Sequence, residues 1–275
     1  MTPELRDALT RLASAPERFL FFDYDGTLSP IVSRPEEAVT PPESIRYLRK
    51  LDLHSGTRVA VVTGRPLESI QKQVGAPDLV FAAVHGLVIH ARDFHFVQPQ
   101  AQRFQPTIRR AVGRLESALG GREGVAIEDK GLTGAVHYRR AAPSDAEDAL
   151  RTSRRVAAEL KGVRRLEGKK VVELGPDVDW DKGRAVELIL ERLCGPEWPG
   201  RLAVLYVGDD RTDEDAFRRL ADRAKDAVTV HVGFRDPTAA RYRVRDPDGV
   251  TEILAALARL LESPPGASWN KLEQP

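Results

Sequence analysis

Phe19-Leu20-Phe21-Phe22-Asp23-Tyr24-Asp25-Gly26-Thr27-Leu28 decides how the rest of the chain is read. Its first four residues are wholly apolar, the pattern of a buried strand. The run ends on two carboxylates one residue apart, then a glycine and a threonine. Two bare carboxylates about 4 Å apart repel by roughly 4 kcal/mol at an effective dielectric near 20. Positive charge therefore belongs beside them, and Mg²⁺ is the usual cation for an all-oxygen site. Turn chemistry accounts for Asp25-Gly26 but not for Asp23. The competing reading makes Asp23 a nucleophile that takes up a phosphoryl group, with Asp25 as general acid and base.

Outward from this strand, Ser29 to Pro42 reads as a loop, with prolines at 30, 35, 41 and 42. Glu43 to Leu53 has helical apolar spacing. Thr57 to Val62 is a second apolar strand, ending in Thr63-Gly64-Arg65-Pro66, and a helix follows over Leu67 to Val74. Leu79 to Val84 is a third strand, ending in His85-Gly86. Alternating strands and helices predict a parallel sheet covered on both faces. Then the rhythm changes. Helices over Phe104 to Leu119 and Ser144 to Leu160, the second with Ser144 as a candidate N-cap, alternate with short strands at Val125 to Glu128, Thr133 to Arg139, Val163 to Leu166 and Lys170 to Leu174. Helix-strand-strand, twice, predicts a small α+β unit with an antiparallel sheet.

The expected fold class is thus α/β, a Rossmann-like parallel-sheet core over 1–100 and 178–275, with a smaller α+β domain inserted over 101–177. The parallel rhythm resumes with a helix over Asp181 to Leu193 and a strand over Leu202 to Val207 that runs into Gly208-Asp209-Asp210-Arg211-Thr212-Asp213-Glu214. Asp215 to Leu220 reads as helix, Val228 to Val232 as strand and Gly249 to Leu261 as a last helix. From Ser263 the composition predicts a frayed tail.

With 275 residues the chain can bury ample core, and 42 Lys and Arg against 41 Asp and Glu leave a net charge of +1. No polybasic tail appears, so neither nucleic acid nor a membrane surface is expected as a partner. Met1 to Pro16 suits a charged amphipathic helix and lacks the apolar centre of a signal peptide. Cys194 is the sole cysteine and fits a reducing compartment. A cytoplasmic protein with no obligate protein partner follows as the expectation.

In a parallel sheet the strand ends share one edge, so Asp23, Asp25, Thr63 and the cluster of Asp209, Asp210 and Asp213 can converge, with Lys182 opening a nearby helix. Asp23 and Asp209, with the main-chain oxygen of Asp25, suit Mg²⁺; Asp210 and Asp213 suit water-mediated or supporting roles. Lys182 can neutralise phosphate oxygens, and the Thr63 hydroxyl and Gly64 amide can bond another. Singly, Thr63-Gly64-Arg65 is also a capped turn and Lys182 also a solvated lysine. Four such features in order carry the argument.

Asp23-Tyr24-Asp25-Gly26-Thr27, Thr63-Gly64-Arg65, Lys182 and Gly208-Asp209-Asp210 together resemble the four motifs of the haloacid dehalogenase superfamily of phosphatases. Val84-His85-Gly86, Lys130-Gly131, His137-Tyr138-Arg139 and Gly168-Lys169-Lys170-Val171-Val172-Glu173-Leu174 narrow the likeness to the trehalose-6-phosphate phosphatases, over about Phe19 to Phe217. The resemblance implies a small-molecule sugar phosphate as substrate, Mg²⁺, Asp23 as nucleophile, Asp25 as acid/base, and the insert as a cap. It implies substrate-binding roles for Gly64, Arg65, His85, Gly86, Lys130, Arg139, Lys169 and Glu173. Arg139 and Lys169 are equally readable as solvated charges at strand ends. Phosphatases of sucrose 6-phosphate or a glycosyl-phosphoglycerate are the nearest alternatives. A phospho-accepting signalling domain shares the Asp cluster but lacks a large insert, and a catalytically dead sensor needs no intact set of catalytic side chains.

Overall fold

A computed structural model describes residues 1–32, 37–234 and 236–263. In chain order its first elements are α1 (Pro3–Ser14), β1 (Arg18–Phe22), α2 (Pro42–Leu53), β2 (Thr57–Val62), α3 (Leu67–Val74), β3 (Val80–Ala83), β4 (Val88–Ala91) and β5 (Phe94–Val97). Next come α4 (Pro99–Leu119), β6 (Ala126–Asp129), β7 (Gly134–His137), α5 (Pro143–Glu159), β8 (Val163–Gly168) and β9 (Val171–Pro176). The chain continues with α6 (Lys182–Cys194), β10 (Ala203–Gly208), α7 (Asp213–Arg223), β11 (Val228–Val232), β12 (Tyr242–Val244) and α8 (Pro247–Glu262). Two compact units emerge, one of Met1–His95 with the chain from Asp181 onward, the other Phe96–Trp180.

The first unit is built on a sheet of order β12-β11-β10-β1-β2-β3-β4-β5. The strands from β12 to β3 are parallel and β4 turns back antiparallel. Every residue of β1 and β11 is buried, Arg18, Thr229 and His231 among them, as expected of strands covered on both faces. Phe22 is level with Val61 on one side and Val207 on the other. The residues that follow these three strands therefore leave the sheet at one edge, at similar height.

The second unit is a four-stranded antiparallel sheet, β6-β7-β9-β8. Val136, Val172 and Leu174 from one face pack with Ala111, Leu115 and Leu119 of α4 and with Ala149 and Val156 of α5. Each Val or Leu so buried contributes about 1.5–3 kcal/mol. Glu128, Ala135 and Glu173 are direct cross-strand neighbours, so they form a row on the other face.

Several boundaries differ from the sequence reading. The helix expected from Phe104 starts at Pro99, where a proline has no N–H to orphan and the Gln98 side chain accepts from the Ala101 amide. Ser144 lies inside α5 and is not its cap, which falls at Ala142 ahead of Pro143. The third strand stops at Ala83, because Val84 and His85 turn left-handed (φ 50° and 56°). The β4–β5 hairpin and β12 are additional strands. Pro35 and the tail beyond Ser263 lie outside the described residues. Among the described residues no helix is long and apolar enough to cross a membrane.

Candidate active site

The end of β1 and the end of β10 meet at Asp23. Its N–H donates to the Val207 carbonyl (2.9 Å), so the ladder continues one residue past the strand and holds the carboxylate in place. Lys182, the first residue of α6, reaches it: Nζ lies 2.7 Å from Asp23 Oδ1 and 2.8 Å from Asp213 Oδ1, with the side chain 2 % exposed. Asp181 caps the same helix by accepting from the Arg184 N–H, which fixes where Lys182 begins.

Asp213 is the hub of this network. Its two oxygens accept from Lys182 Nζ, the Tyr206 hydroxyl (2.8 Å) and the backbone N–H groups of Asp209 and Asp210 (3.0 Å each). About four lone-pair sites are thereby used, which leaves Asp213 as the residue that orients the others. Asp210 Oδ1 accepts from the Thr212 N–H and hydroxyl and from the Asp213 N–H, tightening the turn into α7.

Burial sets the electrostatics. It lifts the Asp23 carboxyl well above the ordinary range despite Lys182, and Asp213, Asp210 and Asp209 push the same way. Burial likewise raises Asp213 to about 6 against the pull of Lys182. For Lys182 burial works against the charge, but Asp213 and Asp23 outweigh it and its pKa stands well above that of a free lysine. Asp210 is only partly buried, and Lys182 and the Thr212 hydrogen bond hold it well below the carboxylate range.

Asp23, Asp209 and Asp213 each bring a carboxylate oxygen within 4.8 Å of the others, all three buried. Asp209 lies so close over the loop after Asp25 that a Cβ on Gly26 would sit 2.5 Å from its carboxylate. Gly26 also has φ +89°, so no other residue serves there. One ammonium among three buried carboxylates, with oxygen donors only, fits a small hard divalent cation.

Asp25 faces elsewhere. Its side chain is 43 % exposed and is held by Arg65, with Nε 2.7 Å from Oδ2 and Nη2 2.5 Å from Oδ1. Thr63, buried after β2, accepts the Arg65 N–H on its hydroxyl (3.2 Å). His85 packs against Gly64: a Cβ there would come within 2.6 Å of its ring, so the close approach needs glycine. Gly86 completes the left-handed turn at φ 82°.

In the second unit, Lys130 Nζ lies 3.3 Å from Glu173 Oε2, and both side chains are nearly buried. Glu128 Oε2 accepts from His137 Nε2 at 2.9 Å on the same sheet. Arg139 is exposed and donates to the Lys169 carbonyl (2.8 Å); Lys169 is exposed too.

Residues 21–248 match the family model described as trehalose-phosphatase. The trehalose-phosphate phosphatase of Mycobacterium tuberculosis is 36 % identical over 269 residues, covering 95 % of this chain and 68 % of that protein. The chain belongs to the trehalose-phosphatase family. Among solved structures, the C-terminal domain of C. albicans trehalose-6-phosphate phosphatase is similar at 25 % identity and TM-score 0.77, over 92 % of this chain and 96 % of that one. A haloacid dehalogenase-like hydrolase from Bacteroides thetaiotaomicron, at 17 % identity and TM-score 0.57 over 87 % of this chain and 98 % of that one, shares the fold.

Set against this family membership, the sequence reading missed Tyr206, the bond between Arg65 and Asp25, and the pairing of Glu128 with His137. Tyr206 sits in an apolar strand where one hydroxyl leaves no mark on the pattern; its pKa is raised by burial and by Asp213, so it stays a donor. The Arg65 fork onto Asp25 spans 40 positions, and spacing does not signal it. Glu128 and His137 were readable as polar residues of opposite character on paired strands, at Glu128 beside Ala135 and His137 beside Ala126.

Proposed function

We propose that the protein hydrolyses trehalose 6-phosphate to trehalose and phosphate. The observation that carries the reading is the buried Asp23–Lys182–Asp213 network beside Asp209 in a chain of this family. An Asp23 oxygen attacks phosphorus, the bond from phosphorus to the sugar oxygen breaks, and Asp25 gives that oxygen a proton. Asp25 then takes a proton from water, which cleaves the phosphoryl-aspartate and restores the Asp23 carboxylate. Asp23 and Asp209, with the Asp25 main-chain oxygen, would hold Mg²⁺, which when bound supplies the positive charge that offsets repulsion between carboxylate and phosphate.

Lys182 and the Thr63–Gly64 segment bind the phosphate oxygens, with Lys182 also holding Asp23 against its neighbours' repulsion. Asp213 and Asp210 support this arrangement through their hydrogen bonds. His85 and Gly86 border the phosphate segment. Lys130, Arg139, Lys169 and Glu173 read the sugar hydroxyls, since a site built to bond hydroxyls rejects ligands that leave its own groups unpaired. A cytoplasmic setting, with no nucleic acid, membrane or obligate protein partner, belongs to the same reading.

The test is phosphate release from trehalose 6-phosphate, sucrose 6-phosphate, glucose 6-phosphate and a glycosyl-phosphoglycerate, with Mg²⁺ and with a chelator. Trehalose 6-phosphate should give the highest kcat/KM, and the chelator should abolish turnover. A higher value for another sugar phosphate would overturn the substrate; full turnover under chelation would overturn the metal.

A further inference from the structure

The bond between Arg65 and Asp25 has a supporting structure behind it. The guanidinium lies over the Tyr24 ring, 5.0 Å from its centroid, and the Tyr24 hydroxyl is fixed by the Ala38 carbonyl (3.3 Å). From the other side, the Arg65 carbonyl accepts the Val84 N–H (2.9 Å) and the Thr63 carbonyl accepts the His85 N–H (2.8 Å). Val84 and His85 both stand at positive φ, a conformation a β-branched residue such as valine rarely adopts. A strained turn thus pins the main chain of Thr63 to Arg65, the Tyr24 face supports the guanidinium, and the fork ends on both oxygens of Asp25. Arg65 is 10 % exposed against 43 % for its partner, so the rigid member is the arginine.

We infer that Arg65 is a positioning residue for Asp25. The inference rests on the reading of Asp25 as acid/base. A carboxylate on a short loop can rotate, and proton transfer needs one of its oxygens within hydrogen-bond reach of the leaving oxygen and then of water. A planar fork that takes one lone pair from each oxygen sets the plane of the carboxylate and leaves about two acceptor sites for the proton. Lysine keeps the charge but offers no fork. Arg65 therefore acts on the step that Asp25 performs, and not as a separate anchor for the phosphate.

A double-mutant cycle on the full chain tests this, with R65Q, R65K, D25N and the two combined variants, each checked by thermal melting. In the native background R65Q should lower kcat/KM for trehalose 6-phosphate on the order of tenfold to a hundredfold, the usual cost of a misplaced group. R65K should fall between. In the D25N background either change should add less than about twofold, because the group being positioned is already disabled. With 4-nitrophenyl phosphate, whose leaving group needs no proton, the loss from R65Q should shrink. R65K retains a cation that can face the Tyr24 ring and carries the same cycle should R65Q unfold. Equal factors in both backgrounds, with equal losses on both substrates, would overturn the proposal and make Arg65 a phosphate anchor. If D25N itself left turnover intact, the acid/base reading would fail first and this inference with it.

Discussion

Two of the molecule's lysine–carboxylate networks, those with buried lysines, are built in opposite ways. At the sheet edge of the first unit, Lys182 sits between Asp23 and Asp213 at 2.7 and 2.8 Å, and Asp213 is further bonded by Tyr206 and two backbone amides. On the antiparallel sheet of the second unit, Lys130 and Glu173 stand 3.3 Å apart, next to a second pair, His137 and Glu128. The first network is locked by short bonds that no ligand needs to supply. The second is longer and lies on a sheet face whose opposite side carries the core. A fixed network suits a reaction common to every phosphate ester; a looser polar row suits a partner with hydroxyls of its own. Chemistry and selection can then vary separately.

Removing the attacking charge breaks the first network hardest. D23N keeps shape and should lower turnover by several orders of magnitude on every substrate, aryl phosphates included. Steady-state rates on trehalose 6-phosphate and 4-nitrophenyl phosphate measure this. Substantial turnover by a folded D23N protein would reject Asp23 as nucleophile.

The next largest effect is on stability. Deleting one partner of a buried ion network leaves charge uncompensated, at a cost of about 3–5 kcal/mol, so K182M should lose that much in denaturant unfolding at pH 7.5 without divalent cation. The sign of the pH dependence follows from Asp213. Its folded pKa is raised to about 6 from 3.8, so the folded state holds the proton more tightly than the unfolded one. The stability due to that proton is complete below about pH 4 and is lost as pH rises through about 6. Divalent cation works the other way, since it would bind ionised carboxylates, among them Asp23, whose carboxyl burial also raises. The rise in Tm on adding Mg²⁺ should accordingly be larger at pH 7.5 than at pH 5, and the K182M deficit smaller at pH 5. A Tm gain independent of pH would mean that the buried carboxylates do not bind the ion.

Much of the fold was legible because its central elements are mostly apolar segments of the right length, bounded by Gly, Pro or charge. Thr57–Val62, Leu67–Val74 and Val228–Val232 were read to the residue. The end of β3 was not: valine is a good strand residue, and nothing local predicts a left-handed Val84 whose N–H is claimed by Arg65. The β4–β5 hairpin escaped because its strands, half-buried and carrying His90 and His95, lack a clean apolar face. At the site, the order of motifs pointed to Asp23, Asp209 and Lys182 meeting, since strand ends share an edge. What each oxygen binds was illegible. Asp210 turns to Thr212 and Asp213 to its own loop amides, and those choices depend on backbone positions that residue spacing does not encode.

The smallest expected effect sharpens the comparison most, because it separates the two networks by substrate. Glu173 is a buried sheet residue bonded to Lys130, whereas Arg139 is exposed beyond the end of β7 and tied to the Lys169 carbonyl. If both read sugar hydroxyls, E173A and R139A should each lower kcat/KM for trehalose 6-phosphate at least about tenfold, which is about 1.4 kcal/mol. 4-Nitrophenyl phosphate has no such hydroxyls and should be hydrolysed by both variants at nearly the native rate. E173Q supplies the control for packing: it fills the same space and can still accept from a hydroxyl, but it no longer carries the charge facing Lys130. It should recover part of the loss if hydrogen bonding to the sugar is what Glu173 provides. Parallel losses on both substrates would assign Glu173 and Arg139 to the folding of the second unit, and the polar row would no longer explain how the substrate is chosen.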